Sequence, residues 1–381
     1  ENGFYQRQPT DKQLLQTLSI DINVTSEVTD QVLSQIYKML YKNPSESISQ
    51  IIKLSNEIKL NVLMLKDIND NNRSLGFVIF HDTNVSTLYR DFGDKEITQY
   101  IRENSVGPIV VIDALVSAKD DKFRNLNQIL LTEALSYCIS KGYEYCIYKS
   151  IIVEGSQEDI YETLKLQGFI PVPSQSTANV FCVNMSNPCV LSLDLETVIK
   201  EPFKYNKAFQ KILKKSRARL QEALTKLYPG HLVLSIDRNM VHETLIRKIC
   251  KENKVPIEPQ IPRILGPCVC VPFGQILNKH IIPNTVTKSM HTEKYFNPDM
   301  AGYRIDAFPY YLDLRSQVRM IKSFGRPVIL VDDLLHKGYR IKALDPILKE
   351  ENVNIQKIIV GILSARGKEI MDSQNREVDC A

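Results

Sequence analysis

Apolar runs of strand length alternate with segments of helical period along most of the chain, and this alternation constrains the fold more than any other feature. The run "GPIVVIDALVSA" starts at Gly107, and "RPVILVDD" starts at Arg326. Nearly continuous apolar runs are typical of strands buried on both faces of a sheet. A helix between two such strands makes a crossover connection. The sequence therefore predicts an α/β protein with a mostly parallel sheet in its C-terminal half.

Within the N-terminal half, the apolar spacing makes several local predictions. One helix is expected over about residues 29–57, where apolar residues recur at helical spacing. The run Leu75–Phe92 predicts two strands broken at 82–84. Two further helices, at 125–142 and 156–168, are expected to end at their terminal glycines.

The composition is that of a soluble globular protein long enough for two domains. The chain has 381 residues, of which 43% are hydrophobic and 24% charged. Its net charge of +4 is small for this length, so the overall charge predicts neither nucleic acid nor a membrane surface as a partner. The cysteines form no CxxC pair, no long apolar run is present and the N-terminal segment is polar. These features predict a cytoplasmic protein with reduced thiols.

Two adjacent carboxylates follow the apolar run near the C-terminus. Asp332 and Asp333 end the predicted strand, and a short loop with Gly338 comes next. Ligands in open α/β sheets bind at the carboxyl ends of the strands. Two neighbouring carboxylates repel each other there unless hydroxyl groups or a cation occupy the site. Because backbone N–H groups at a helix start favour anions, a ribose phosphate fits this pattern, and an acidic strand end beside a solvated turn is the alternative.

The segment Val328–Arg340 resembles the signature of type I phosphoribosyltransferases. Both have aliphatic residues, two acids, two aliphatic residues and a glycine in the same order. The resemblance implies that Asp332 and Asp333 hold the ribose hydroxyls of phosphoribosyl pyrophosphate (PRPP), which binds with Mg²⁺. It also implies that the 5′-phosphate is held by the loop residues Lys337, Gly338, Tyr339 and Arg340. His336 and Lys337 replace the small or hydroxyl residues usual in this family.

The phosphoribosyltransferase resemblance extends over residues 229–381. "LVLSIDRNMVHETLIRKI" is similar to the family's first strand, pyrophosphate loop and helix, and its loop residues are Asp237, Arg238 and Asn239. "TVTKSMHTEKYF" stands where the family has a flexible hood that supplies cations to pyrophosphate, and the candidates there are Lys288, His291 and Lys294. A surface-loop role is the alternative for His291. Pro346 departs from the family pattern, since it predicts a helix that starts there with Asp345 as its N-cap.

The N-terminal half, from about residue 16 to 185, resembles the GNAT acetyltransferase fold in its order of predicted helices and strands. In that family an Arg/Gln-x-x-Gly-x-Gly/Ala loop binds the pyrophosphate of acetyl-CoA. "RNLNQI" stands at this position, so Arg124 and Asn127 are candidate cofactor-binding residues. Asn127 and Ile129 replace the two small residues, which obstructs close backbone approach to a phosphate. Tyr161 stands where the family often has a proton-donating tyrosine, and a half-buried helix aromatic is the alternative.

These resemblances divide the chain into three parts. A GNAT-like domain with a mixed sheet is expected at 1–190, a helical connector at 191–228 and a phosphoribosyltransferase-like domain with a parallel sheet at 229–381. The connector contains a helix rich in lysine and arginine, which we interpret as a solvated face.

The leading functional hypothesis is a phosphoribosyltransferase-type enzyme that binds PRPP or a related ribose phosphate with Mg²⁺. Its catalysis would come from positioning the nucleophile and neutralising pyrophosphate. One alternative is a non-catalytic regulatory protein that binds a nucleotide or metabolite through two degenerate enzyme folds. Another is a GNAT acetyltransferase that uses acetyl-CoA. The expected partner is a small ribose phosphate or nucleotide, with a homodimer as the candidate assembly; no protein metal site, nucleic acid or membrane is expected.

Overall fold

The computed structural model describes most of the chain as two compact units. The described residues are 20–68, 70–118, 126–152, 157–174, 179–191, 203, 206–236, 238–262, 264–273, 277, 282–299 and 301–381. One unit ends at Arg238, and the other starts at Asn239. Each unit has its own sheet and its own apolar core.

A mixed eight-stranded sheet forms the first unit. Its strands are β1 (Ile20–Thr25), β2 (Asn61–Asp67), β3 (Arg73–Thr83), β4 (Ile109–Ser117), β5 (Tyr145–Lys149), β6 (Ile170–Pro171), β7 (Val180–Leu191) and β8 (His231–Ser235). Their order is β1-β2-β3-β4-β5-β7-β6, and β8 also pairs with β7. Neighbours are antiparallel except for β4 with β5 and β7 with β8. β4 is buried along nearly its whole length, as its sequence predicted.

Helices cover the first unit's sheet. They are α1 (Asp30–Met39), α2 (Pro44–Glu57), α3 (Leu88–Phe92), α4 (Lys95–Asn104), α5 (Leu126–Ser140), α6 (Gln157–Leu166) and α7 (Lys207–Leu227). The predicted helices at α5 and α6 are confirmed, and Gly142 and Gly168 follow them with positive φ angles of 87° and 92°.

One helix prediction and one strand prediction for the first unit are wrong. The single helix expected over 29–57 is two helices, because Asn43 adopts a left-handed conformation and Pro44 starts a new helix. The second strand expected before Phe92 is α3, followed by α4. Asp94 stabilises the start of α4 by accepting hydrogen bonds from the backbone N–H groups of Glu96 and Ile97.

A parallel sheet forms the second unit, which confirms the predicted α/β class. Its strands are β9 (Val269–Pro272), β10 (Val286–Thr287), β13 (Val328–Leu335), β14 (Ile355–Leu363) and β15 (Val378–Cys380). The order is β10-β9-β13-β14-β15, and every neighbouring pair is parallel. A separate hairpin consists of β11 (Thr292–Phe296) and β12 (Tyr303–Ala307).

Helices cover both faces of the parallel sheet. They are α8 (Arg238–Glu252), α9 (Leu314–Lys322), α10 (Tyr339–Glu350) and α11 (Ala365–Ser373). Along β13, Ile329 and Val331 pack with residues of α8, whereas Val328 and Leu330 pack with residues of α9, α10 and α11. β13 is therefore a central strand buried on both sides, and its carboxyl end brings two aspartates and the next turn to the edge of the sheet.

Two local predictions for the C-terminal half are wrong. β8 was expected to be the first strand of the parallel sheet, but it pairs with β7 of the first unit. Pro346 lies inside α10 instead of starting a helix. Asp345 does not cap that helix, since its carboxylate forms ion pairs with Lys349 and Arg376, each at 2.5 Å.

Candidate functional site

The central strand of the second unit carries Asp332 among its last four residues, just beyond the end of its pairing with β9. Asp332 is 4% exposed. Its Oδ1 accepts a hydrogen bond from Nη1 of Arg340 at 2.6 Å and another from the backbone N–H of Asp333 at 2.9 Å. No described residue donates a hydrogen bond to its Oδ2. The carboxylate is therefore buried and paired through one oxygen, and it does not face bulk water.

The electrostatics of this strand end are unusual for an aspartate. Burial raises the pKa of Asp332 to about 7, although the positive charge of Arg340 opposes the shift. The negative charge of half-buried Asp333 adds to the increase. A carboxyl group that titrates near neutrality can either accept or donate a hydrogen bond through its proton. Such perturbed groups are concentrated at binding and catalytic sites.

The turn after β13 holds its predicted phosphate-binding residues differently from the family pattern. The guanidinium of Arg340 donates to the carboxylate of Asp332 and is therefore already paired within the protein. His336 Nδ1 lies 3.0 Å from Oγ of Ser364, the residue that caps α11. Gly338 has a φ of 63° and directly precedes α10, which has no side-chain cap. Lys337 is half-buried, and the turn leaves the first backbone N–H groups of α10 available for an anion.

The predicted hood contains β11, the first strand of the β11–β12 hairpin, and this hairpin brings Lys294 to the turn. Lys294 Nζ lies 3.9 Å from the ring centroid of Tyr303 and 5.9 Å from that of Tyr339. Because Tyr339 is the first residue of α10, the hairpin meets the start of that helix. The rings of Tyr303 and Tyr339 are 4.9 Å apart at their centroids.

The other two candidate hood residues have different surroundings. His291 stacks on Tyr311 with ring centroids 3.8 Å apart. Burial lowers the pKa of His291, and the charge of Lys288 acts in the same direction. The backbone N–H of Lys288 donates to the carbonyl of Cys270, which extends the pairing of β10 with β9. The described contacts of these two residues are thus structural.

The predicted pyrophosphate loop does not follow a strand of the parallel sheet. It follows β8, which belongs to the first unit. Asp237 lies outside the described residues, and Arg238 and Asn239 are the first residues of α8. Among the described residues, no strand of the parallel sheet directly precedes Arg238 and Asn239.

In the first unit, one parallel strand pair is set between antiparallel neighbours. β4 and β5 pair in parallel over four residues, ending at Ile112 and Tyr148, and α5 connects them. Asp113 is out of register between β3 and β4, so β4 carries a bulge there. The carboxyl ends of a parallel pair joined by a crossover helix are where ligands bind in open α/β sheets.

A cavity of about 540 Å³ lies beside Ala118, directly after β4. Its other walls are the end of α1 and the turn between β2 and β3, and its polar lining residues are Gln35, Lys38, Tyr41, Asn72, Arg73 and Ser74. Arg73 pairs with Asp70 at 2.7 Å. The volume is in the range usual for ligand pockets, and the two cations suit an anionic group.

Of the two cofactor-binding residues predicted for the first unit, Asn127 is described. Its Oδ1 accepts a hydrogen bond from Oγ of Ser117 at 2.7 Å, which ties the first turn of α5 to the last residue of β4. Arg124 lies outside the described residues. Tyr161 is half-buried on α6, and its ring packs on Phe181 with centroids 5.1 Å apart.

A buried charged cluster in the first unit was not predicted from the sequence. His81 of β3 is 2% exposed, and its Nδ1 lies 2.6 Å from Oδ2 of Asp113. Its Nε2 lies 3.9 Å from Oδ2 of Asp91, too far for a hydrogen bond, and has no hydrogen-bond partner in the described part of the chain. Thr83 donates to the carboxylate of Asp91, and Lys149 Nζ donates to its backbone carbonyl at 2.8 Å.

The His81 cluster is charged at neutral pH. Burial alone would lower the pKa of His81, but its hydrogen bond to Asp113 and the charges of Asp113 and Asp91 raise that pKa to about 9. Burial raises the pKa of Asp113, and His81 opposes this shift. Because His81 is almost inaccessible, we assign the cluster to stability: it ties α3 to β3 and β4. Single polar residues inside the apolar runs "FVIFHD" and "VVIDAL" were the sequence signal for it.

Neither a metal centre nor a membrane span is found among the described residues. Within those ranges, no group of three or more His, Cys, Asp and Glu side chains is arranged to hold a metal ion. All eight cysteines are free thiols. Among the helices described, none is long and apolar enough to cross a membrane.

No protein-family model matches the chain, and no curated protein matches it. Solved structures match part of it. AtaTR bound with acetyl-CoA is 12% identical over 44% of this chain and 93% of that chain, with a TM-score of 0.29. The GNAT family N-acetyltransferase YhbS from Escherichia coli, in complex with CoA, is 15% identical over 44% and 81%, with a TM-score of 0.29. Tetrahymena GCN5 is 12% identical over 43% and 95%, also at 0.29. TM-scores of this size carry no argument about family or function.

Proposed function

We propose that the first unit transfers an acyl group from an acyl-coenzyme A, with acetyl-CoA as the reference donor. The observation that carries this proposal is the parallel pair β4–β5, which lies between the antiparallel neighbours β3 and β7 and is joined by α5. This is the place in a mixed sheet where carboxyl ends of strands and a helix start occur together. The resemblance of the unit's sequence to GNAT acetyltransferases points in the same direction.

The surroundings of the end of β4 fit the phosphate groups of such a donor. The N-terminus of a helix attracts anions through its free N–H groups and its dipole. The hydrogen bond between Ser117 and Asn127 fixes the start of α5 next to the strand end. Lys38 lines the adjacent cavity and adds positive charge, whereas the charge of Arg73 is balanced by Asp70. These features support an anion site at the end of β4 without the small residues of the family loop.

The chemistry required of the chain is orientation and proton transfer. A bound acyl-CoA supplies a thioester, whose carbonyl carbon an acceptor amine or hydroxyl attacks. The departing thiolate would take a proton, which the GNAT resemblance assigns to Tyr161, and the proton that the acceptor loses on forming its new bond would restore the tyrosine. His81 does not suit a role as base, because it is 2% exposed and its pKa is raised to about 9.

Isothermal titration calorimetry of the whole chain with acetyl-CoA tests this proposal. Lys38→Glu should weaken acetyl-CoA binding at least about tenfold, since the lost attraction and the new repulsion are each worth about 1 kcal/mol at a surface. Lys53→Glu makes the same charge change on an exposed position of α2 and should leave the affinity within about twofold. Absence of acetyl-CoA binding, or an equal loss in both variants, contradicts the proposal.

A second candidate function is favoured by the end of β13. We propose that the second unit binds a ribose phosphate, with PRPP and its Mg²⁺ as the reference ligand. Asp333 and Oδ2 of Asp332 would accept hydrogen bonds from sugar hydroxyls. Arg340 balances the charge of Asp332, which allows two carboxylates to lie side by side. The phosphate would meet the N–H groups at the start of α10, next to Lys294.

Thermal unfolding with and without PRPP and Mg²⁺ tests the second proposal. Ligand at 100 times its dissociation constant stabilises a folded unit by about 2.7 kcal/mol, which is a measurable rise in melting temperature. Asp333→Asn should abolish the rise, because a hydroxyl acceptor is lost beside Asp332. Asp372→Asn, on the exposed side of α11, should retain it. The proposal is wrong if PRPP gives no rise or if Asp333→Asn keeps the full rise.

A further inference from the structure

The helix α7 carries a concentration of positive charge that neither proposed site uses. Its 21 residues include seven Lys or Arg and one Glu, which makes the helix net +6. Because the whole chain is net +4, all other residues together are net −2. The excess positive charge of this protein is therefore carried by one helix, and the small net charge of the whole chain does not reveal this concentration.

Four cations of α7 are exposed and regularly spaced. Lys207, Lys211, Lys215 and Arg219 follow one another at every fourth position. Each step is about 6 Å along the helix axis, so the row is about 18 Å long. All four side chains are exposed, and none forms an ion pair or a side-chain hydrogen bond with a described residue. We call these four residues the α7 cation row.

Three of the four cations point away from the packed face of α7, and Lys207 projects to its side. Gln221 is buried, and Leu213 and Leu224 are half-buried, so these residues mark the packed face of the helix. At about 100° per residue, Lys215 and Arg219 project roughly opposite to that face. Packing on one side therefore fixes the helix while the row faces solvent on the other.

The start of the helix is also fixed. The Asn206 side chain accepts hydrogen bonds from the backbone N–H groups of Ala208 and Phe209. A capped helix is less frayed in its first turn. The cap therefore fixes the backbone that carries Lys207 and Lys211 relative to the later cations, and the row is a preorganised surface.

We propose that the α7 cation row binds the phosphate backbone of a nucleic acid without reading its base sequence. The row turns about the helix axis by about 40° at each step. Its charges are complementary to a strand of phosphates, and this attraction supplies most of the affinity in non-specific binding. A second copy of the same helix does not fit, because two cationic rows repel each other. The other residues together carry a net charge of −2, so the attraction for phosphate comes mainly from this helix.

A membrane surface fits the row less well than a nucleic acid does. Helices that lie on membranes insert an apolar face into the lipid. The exposed aliphatic residues of α7 are Ile212, Leu220 and Leu227. Leu220 and Leu227 project about 100° or more from the outward direction, so Ile212 alone lies among the cations. The surface that meets a partner first is cationic and not amphipathic.

Fluorescence anisotropy with a labelled single-stranded RNA of mixed sequence and 20 nucleotides, in a series of salt concentrations, tests the proposal. Four phosphate contacts predict a slope of log K against log salt of about −3 on a single strand. The triple variant Lys211→Gln, Lys215→Gln, Arg219→Gln leaves one contact. Its slope should fall to about −1, and its affinity at low salt should fall more than about tenfold.

A charge-matched triple variant is the control. Lys53→Gln, Lys59→Gln and Lys95→Gln remove three exposed positive charges from the same unit, and the RNA affinity should stay within about twofold. All substituted side chains are exposed, so circular dichroism should show unchanged folding. Equal losses in both triple variants, or no salt-dependent RNA binding, would overturn the proposal. So would binding of the wild type to phosphatidylcholine–phosphatidylserine vesicles in place of RNA.

Discussion

At the residue scale, His81 stands out because it is a buried cation. With its pKa raised to about 9, it is protonated at neutral pH. Its charge lies between the carboxylates of Asp113, at 2.6 Å, and Asp91, at 3.9 Å. Removing either the proton or the histidine takes away the closest positive partner of Asp113, and breaking a buried ion pair in this way is destabilising.

The stability of the first unit should therefore depend on pH through His81. Its folded pKa of about 9 is above the unfolded value of 6.5, so its contribution is complete below pH 6.5 and is lost as pH rises through about 9. The contribution is about 3 kcal/mol at most. Urea unfolding between pH 6.5 and about 9 should show this fall in the wild type.

Two histidine variants complete the test of this pH dependence. His81→Gln cannot carry the charge, so its free energy of unfolding should be lower at pH 6.5 and should not fall further through His81 as pH rises. His231→Gln changes an exposed histidine of the same unit and should keep the wild-type fall. A His81→Gln variant with the wild-type pH dependence would show that His81 is not the titrating group.

At the same scale, the sequence predicted that Asp332 and Asp333 end a strand, but β13 continues to Leu335, and the sequence did not predict what Asp332 contacts. The apolar run before them determines that they reach the edge of a sheet. Arg340 was expected to bind a phosphate, and instead it binds Asp332. That contact depends on how the turn and the first turn of α10 fold together. No local pattern of residues reports such a contact.

At the element scale, the elements that the sequence predicted best are those marked by an apolar run or an apolar spacing within the element itself. β4, β13, α5 and α6 each bury a pattern that is complete within the element. α3 and α4 were missed because the run from Leu88 onward is short and mixes apolar and charged residues. The start of α4 depends on its cap at Asp94 more than on apolar periodicity.

The apolar pattern of a strand does not specify the sheet to which the strand belongs. "LVLSI" was correctly predicted to be a strand, but it was assigned to the parallel sheet. β8 pairs with β7, for example Val190 with Leu234 and Leu191 with Ser235. Those partners are far apart in the chain and are selected by packing. Apolar period alone predicts that a strand is buried and leaves open which neighbour buries it.

At the scale of the whole molecule, two separate cores imply two unfolding events. One pair of apolar clusters is built from β2, β3, β4 and the helices of the first unit. The other pair is built from β9, β13, β14 and the helices of the second unit. Because each unit has apolar clusters of its own, we expect that one core can be lost without the other.

One glycine in each unit offers a way to lower the stability of that unit alone. A Cβ on Gly168 would lie 2.1 Å from the carbonyl oxygen of His231, and its φ of 92° is unfavourable for alanine. A Cβ on Gly367 would lie 2.2 Å from the carbonyl oxygen of Leu335. Neither backbone oxygen can rotate away as a side chain would. Forced contacts of this kind cost about 1–3 kcal/mol, and the positive φ adds about 1 kcal/mol or more at Gly168.

Calorimetry on these variants should therefore separate the two units. Gly168→Ala is expected to lower one of two thermal transitions by about 10 °C, and Gly367→Ala to lower only the other. Gly142→Ala is the matched control, because its φ is 87° but no atom lies within 4 Å of its added Cβ. It should lower the first unit's transition by about 3 °C, which is the cost of the backbone conformation alone. A single transition that falls in both test variants would mean that the two cores unfold together.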